Sequence, residues 1–291
     1  MAWTTRSFSI LRAGGEQGNQ SKRFLRRAET DPYGKAKSRA RGELAYVARS
    51  AHKLIQLDQQ FRIFPGARPP TRDAFRVLDL GAAPGGWSQV VLERLARLHY
   101  SNRELPIRTP REPPHRLVAC DLLPLHPSIA SQVSTNVDFH SIQGDFMDVE
   151  VRARISQLLN GTNPRVDDDD PIDGREEGEK GLRSTTIILS DMLHSMTGIP
   201  TRDSQSSLDL STTVADLARD LILASPPGPS HAAAGDTLIL KHLQSEFTHQ
   251  FRQRLLADWA TVKWVKPLAS RAESREGFFV TRGRRAQSQE D

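Results

Sequence analysis

Arg76-Val77-Leu78-Asp79-Leu80-Gly81-Ala82-Ala83-Pro84-Gly85-Gly86-Trp87-Ser88-Gln89 is the stretch on which the reading of this chain turns. A short apolar run breaks on glycines and a proline. It then continues into an amphipathic segment carrying Val90, Val91, Leu92, Leu95 and Leu98. Strand, tight turn and helix in that order make the first unit of an open α/β nucleotide-binding sheet. Glycines at the carboxyl end of such a strand let the backbone approach a ligand closely.

The glycine spacing narrows the ligand. Gly81-x-x-x-Gly85-Gly86 is not the G-x-G-x-x-G dinucleotide fingerprint, and it lacks the Gly-Lys-Ser/Thr ending of a P-loop. A nicotinamide oxidoreductase is disfavoured on that spacing. A wide turn after Val-Leu-Asp-Leu suits a ligand without a pyrophosphate, such as S-adenosylmethionine.

Around this unit, 291 residues suffice for one substantial core. The longest apolar runs fall well short of the roughly 20 residues that span a bilayer. A single cysteine, Cys120, excludes an internal disulfide and a cysteine-built metal site. The net charge of +5 is unevenly spread. Met1 to Lys53 holds twelve Lys/Arg against four Asp/Glu, so the remainder is slightly acidic. A basic arm on a near-neutral body is the electrostatic outline of a polyanion binder.

Residues 1–20 carry Arg6, Arg12, several Ser/Thr and one acid, Glu16, with Trp3, Phe8, Ile10 and Leu11 interspersed, as a mitochondrial transit peptide does. Lys22, Arg23, Arg26 and Arg27 follow, interleaved with Phe24, a pattern that pairs with phosphates and offers a stacking face. A helix is expected from about Glu43 to Gln60, with Lys53 beside its apolar stripe. After the helix 86–100 comes a polar, proline-rich surface loop at 101–115. Strands 116–121 and 137–146 each deliver an acid. Asp121 can accept ribose hydroxyls or serve as a turn residue or cap; Asp145 is placed to meet an adenine. The acidic, breaker-rich segment 161–183 reads as a solvated insertion. Strand 185–191 ends in Asp191, helix 208–224 follows, and strand 236–241 ends in Lys241. A helix at 247–257 and strands 262–267 and 276–280 close the fold, the last two near enough to pair antiparallel. The expectation is an α/β, Rossmann-like sheet of seven strands with helices on both faces and a basic N-terminal extension. Residues 21–285 form the one domain, and 286–291 are a tail.

A lysine at the end of a core strand is costly to bury unless paired. Asp191, ending another strand, could pair with Lys241, or the two could belong to unrelated salt bridges. The string Leu-Asp-Leu-Gly-Ala-Ala-Pro-Gly-Gly-Trp-Ser-Gln closely resembles motif I of the FtsJ/RrmJ-type ribose 2′-O-methyltransferases. That family uses a Lys-Asp-Lys-Glu tetrad. Lys53 sits in Arg49-Ser50-Ala51-His52-Lys53-Leu54, Asp191 in Ile-Leu-Ser-Asp-Met and Lys241 in Leu-Ile-Leu-Lys. Glu276 closes Lys266-Pro-Leu-Ala-Ser-Arg271-x-x-Ser274-Arg275-Glu276, similar to the family's Lys-Pro-x-x-Ser-Arg-x-x-Ser-x-Glu. His52 stands where an aromatic residue is common.

The resemblance implies in-line methyl transfer to a ribose 2′-hydroxyl, with Lys241 as base, Asp191 orienting it, and Lys53 and Glu276 positioning the ribose. It maps Gly85, Gly86 and Trp87 to the methionine end of S-adenosylmethionine, Asp121 to the ribose and Asp145 to the adenine. Asp191 would lie beside the methyl donor. Lys22, Arg23, Arg26, Arg27, Arg49, Arg271 and Arg275 are candidates for holding RNA backbone, and no metal is required. The function so implied is methylation of a uridine in mitochondrial large-subunit rRNA by a monomeric matrix enzyme without a membrane span. A tRNA methyltransferase of the same family, or an rRNA-binding assembly factor that works by occupancy, are the alternatives.

Overall fold

The computed structural model describes residues 10–12, 46–66, 74–98, 115–160, 184–223, 235–271 and 273–285. In chain order the elements are β1 (Ile10–Arg12), α1 (Ala51–Phe61), β2 (Ala74–Leu80), α2 (Gly86–Ala96), β3 (His115–Asp121), a 3-10 turn (Pro127–Gln132), β4 (Val137–Gln143) and α3 (Val149–Asn160). There follow β5 (Ser184–Ser190), α4 (Pro200–Leu223), β6 (Thr237–Leu243), α5 (Thr248–Asp258), β7 (Trp259–Val265) and β8 (Glu276–Arg284). They make one mixed sheet in the order β1-β4-β3-β2-β5-β6-β8-β7. The chain steps outward from β2 through β3 to β4, then returns across β2 to continue with β5 and β6, all parallel. Sheets of this kind bind ligands where the strand order reverses, at the carboxyl ends. Here that point is the β3-β2-β5 junction.

All seven expected strands form, and β8 pairs antiparallel with both β6 and β7. An eighth, the three-residue β1, adds parallel to the outer side of β4 from within the segment that the sequence reading gave to a leader. The rest of 1–20, the basic run 21–27 and the segments 101–114, 161–183 and 286–291 lie outside the described residues.

The central strands are apolar on both faces because helices cover both, which is why they read as continuous hydrophobic runs. Phe75, Val77, Leu117, Ile187, Leu189 and Ile239 pack against Leu54 and Leu57 of α1 and Val91 and Leu95 of α2. The alternate residues, among them Leu78, Leu80, Val118, Ile188 and Leu240, pack against α3, α4 and α5. Each such side chain contributes about 1.5–3 kcal/mol on burial.

Of the boundaries that differ from expectation, three have identifiable reasons. Helix α1 begins at Ala51, and Tyr46–Ser50 is a turn. Side chains of α2 occupy that turn's backbone groups: Val47 N donates to Gln89 Oε1 at 2.7 Å, and Trp87 Nε1 donates to Ser50 O at 2.9 Å. Helix α4 starts at Pro200, eight residues before its apolar stripe. Its polar first turns are buried by hydrogen bonds instead: Asp203 accepts from Thr197 N at 2.8 Å and Gly198 N at 3.0 Å, and Ser207 Oγ from Leu243 N at 2.9 Å. Strand β6 continues past Lys241 to Leu243, because β8 pairs with it along its whole length.

Two fully buried histidines belong to this core. His242 Nδ1 lies 3.0 Å from Ser211 Oγ while its ring stacks 5.3 Å from that of Phe251; His115 Nδ1 accepts from Phe75 N at 3.3 Å. Each Nε2 lacks a partner among the described residues, and burial pushes both rings down to about 4. Unfolded histidine titrates near 6.5, so as pH falls from about 6.5 to 4 the unfolded chain takes up protons that the folded chain refuses. Their contribution to stability is full above that window and is lost through it. Melting temperature should therefore fall between pH 6.5 and 4, less steeply in His115→Asn and His242→Asn; an unchanged slope in both variants would refute the assignment.

Candidate active site

Register places the candidate residues on one face of the sheet. Leu189 pairs with Asp79 on β2 and with Ile239 on β6. Side chains alternate along a strand, so Asp191, two residues past Leu189, emerges on the same face as Lys241, two residues past Ile239. Lys241 in turn pairs with Phe278 of β8, and Leu243 with Glu276. Helix α1 lies over this face and brings Lys53 from above.

The four charged groups meet. Lys241 Nζ lies 2.7 Å from Asp191 Oδ1 and donates a hydrogen bond to the Asp191 carbonyl, also at 2.7 Å. Lys53 Nζ stands 3.3 Å from Glu276 Oε2 and 3.9 Å from Asp191 Oδ1. Both ammonium groups sit over the Phe278 ring, at 5.7 Å for Lys53 and 6.0 Å for Lys241, where the ring's negative face favours them. The Lys241 side chain is 8% exposed and that of Glu276 27%, so the group grades from buried to wet. Asp191 Oδ1 is buried and, despite the nearby ammonium, receives no directed hydrogen bond among the described residues. The Lys241 ammonium, with three protons to give, reaches both the carbonyl and the carboxylate of Asp191.

These residues form one wall of a cleft of about 630 Å³. Its floor is the backbone of Gly81 to Pro84, and Ser50 and Trp87 close another side. Gly81 has φ +69°, and a side chain there would run into Met192. Gly85, at φ +116°, would meet Ile129 at 2.7 Å, and Gly86 would press on Ala48 and Ser50 at 3.0 and 3.1 Å. All three glycines thus admit neighbouring protein, and of this turn Gly81, Ala82, Ala83 and Pro84 line the cleft while Gly85 and Gly86 do not. Sequence reading assigned Gly85 and Gly86 to the ligand and missed the Gly81–Pro84 floor and the Tyr46–Ser50 turn. The only local sign of the turn was Gly86 itself, which needs a close neighbour to explain it.

Asp121 ends β3 with its carboxylate accepting from Ala83 N at 2.9 Å and Leu123 N at 2.8 Å. Burial pushes its carboxyl up, and those amides oppose the shift. Asp145 accepts from Met147 N at 2.8 Å in the turn leading to α3. Neither lines the cleft of the tetrad; both stand at the carboxyl ends of adjacent strands alongside it. On the rim, Arg271 is exposed and Arg49 donates to Ala269 O at 3.3 Å; both line the cleft, and exposed Arg275 does not. Lys22, Arg23, Arg26 and Arg27 are outside the described residues. Among those described, no group of His, Cys, Asp or Glu could hold a metal ion, and no helix is long and apolar enough to cross a membrane.

Residues 46–284, which span the glycine turn and all four charged residues, match the FtsJ-like methyltransferase family. The chain belongs to that family. Ribosomal RNA large subunit methyltransferase E of Bradyrhizobium diazoefficiens is 30% identical over 273 residues, covering 94% of this chain and 92% of the relative. The protein of the same name from Coxiella burnetii is 29% identical, covering 89% and 93%. A solved structure from Plasmodium falciparum, named as a candidate ribosomal RNA methyltransferase, shares the fold with a TM-score of 0.51 at 21% identity, over 81% of this chain and 97% of that one. In this FtsJ-like chain Lys53, Asp191, Lys241 and Glu276, the four residues singled out by the family resemblance, stand together on one wall of the cleft.

Removing one member of a buried ion pair leaves an uncompensated charge, at about 3–5 kcal/mol. In this FtsJ-like chain Asp191→Ala strands Lys241 and should cost at least about 3 kcal/mol in denaturant unfolding. Asp191→Ala combined with Lys241→Met should recover most of that loss. Additive costs would mean that the pair is not coupled.

Proposed function

We propose that the protein is an S-adenosylmethionine-dependent methyltransferase acting on the ribose 2′-hydroxyl of a uridine in mitochondrial large-subunit rRNA. The observation that carries the reaction is the convergence of Lys241, Asp191, Lys53 and Glu276 on one wall of a cleft floored by the glycine turn. The relatives' names, which specify ribosomal RNA of the large subunit, support the substrate class. The leader-like composition of residues 1–20 supports the compartment.

The residues present fit the donor. Asp191 lines the cleft and brings a carboxylate beside the position of a cationic donor. The cleft lined by Gly81 to Pro84 and by Trp87 leaves room for the methionine part. Asp121, at the end of β3, and Asp145, two residues past β4, are our candidates for the ribose and the adenine. When bound, S-adenosylmethionine supplies a methyl group on a sulfonium that carries its own leaving group.

The chain's own residues then have separate tasks. Lys53 and Glu276 hold the target ribose against Asp191. Lys241 accepts the proton of the 2′-hydroxyl as its oxygen forms the new bond to carbon; a base so positioned is worth about 10²–10⁴-fold. The step requires Lys241 as the neutral amine, with Asp191 and Lys53 as its charged neighbours. Asp191 keeps that amine aimed through its carbonyl. Arg49 and Arg271, on the rim, meet the phosphates on either side of the target.

Lys241→Ala should bind S-adenosylmethionine within a few-fold of the parent yet lose at least about 10²-fold in methyl transfer to large-subunit rRNA. Near-normal turnover would remove Lys241 as the base. Mapping of 2′-O-methyl sites in mitochondrial rRNA from cells with and without the gene should show one uridine site lost. Loss confined to a tRNA would overturn the substrate.

A further inference from the structure

Beneath the cleft lies a carboxyl group that the tetrad and the glycine turn do not use. Asp79, near the end of β2, is 1% exposed. It pairs in register with Ala119 on β3 and Leu189 on β5, and two residues further on, on the same face, those strands carry Asp121 and Asp191. At about 3.3 Å rise per residue, Asp79 therefore sits one pleat, roughly 7 Å, below and between those two carboxylates.

Its surroundings supply one hydroxyl and no cation. Asp79 Oδ2 accepts from Ser88 Oγ of α2 at 2.7 Å, and among the described residues it makes no ion pair. The charged groups facing it are Asp191 on β5 and Asp121 on β3; Lys53 and Lys241 reach Asp191 instead. The Cys120 thiol, on the other face of β3, is pushed up to about 12 by burial and stays neutral. Burial pushes the Asp79 carboxyl up to about 7, helped by Asp191 and Asp121 and opposed by the Ser88 hydroxyl. A buried acid without a cation is costly, and an asparagine could hold Ser88 as well. What an asparagine cannot do is answer a positive charge that comes and goes above it.

We propose that Asp79 lets the site distinguish the cationic methyl donor from its neutral product, losing its proton to solvent when a sulfonium binds and regaining one after the transfer. The inference rests on the cleft being an S-adenosylmethionine site. In the transfer the carbon–sulfur bond breaks with its electron pair left on sulfur, the carbon–oxygen bond forms, and the hydroxyl proton leaves through Lys241. The site thereby loses the charge that held Asp79 ionised. Proton uptake from solvent at Asp79 then weakens the preference for donor over product and favours release of the thioether.

Calorimetric titration of the full chain with S-adenosylmethionine and with S-adenosylhomocysteine, near pH 7 in buffers of different ionisation enthalpy, counts the protons exchanged. We expect roughly half a proton released per donor bound, fewer for the product, and no difference between the two in Asp79→Asn. Equal proton counts for the two ligands in the parent protein, or a difference that survives in Asp79→Asn, would overturn the proposal. If Asp79→Asn does not fold, Ser88→Ala serves: removing the hydroxyl that favours the anion should move the release to higher pH, and an unmoved profile refutes the idea. Should neither ligand bind the parent protein, the cofactor reading itself fails and the inference falls with it.

Discussion

The contact between Lys241 and Asp191 is the constraint around which the rest is arranged. Two opposite charges stand 2.7 Å apart at the carboxyl ends of neighbouring parallel strands, almost out of water. An ammonium cannot be left in such a place alone, so β5 and β6 must run in a register that delivers its partner. A slip by one residue would send one of the two side chains to the opposite face. The pairing of Leu189 with Ile239 therefore serves both the core and the chemistry. Phe278, brought in antiparallel on β8, supplies an aromatic floor for both ammonium groups.

A second set of contacts builds the opposite side of the cleft. The Tyr46–Ser50 turn leans on α2 through hydrogen bonds from Val47 N to Gln89 and from Trp87 to Ser50 O. Gly86 is bare so that Ala48 and Ser50 can come this close. Lys53 is carried a few residues further on, so the packing of this turn sets how far its ammonium reaches toward Glu276 and Asp191. Glycine turn and tetrad are thus mechanically joined, although motif I contains no member of the tetrad.

The face that carries the tetrad also carries three carboxyl groups, Asp79, Asp121 and Asp191, on adjacent strands, and only Asp191 is met by lysines. Asp121 is answered by backbone amides and Asp79 by a hydroxyl. Such an excess of acceptors over cations is poorly suited to an empty core and well suited to a site whose ligand brings positive charge.

Much of this was legible in the residue order alone. The strand–turn–helix around Gly81–Gly86, the seven core strands and the antiparallel close follow from apolar runs and breakers, because a parallel sheet covered on both faces needs unbroken hydrophobic strands. Lys241 and Asp191 stood out because charges at the ends of such strands are expensive, whereas Lys53, on a helix, and Glu276 were singled out by the resemblance of their local motifs to the family's. The folded chain alone decided the late start of α1, the polar first turns of α4 and the buried setting of Asp79. In each, hydrogen bonds to distant residues replace the local apolar pattern: Gln89 and Trp87 hold the turn before α1, Asp203 and Ser207 anchor α4, and Ser88 meets Asp79. Periodicity reports what a segment buries against oil, and it is silent about what a segment bonds to across the fold.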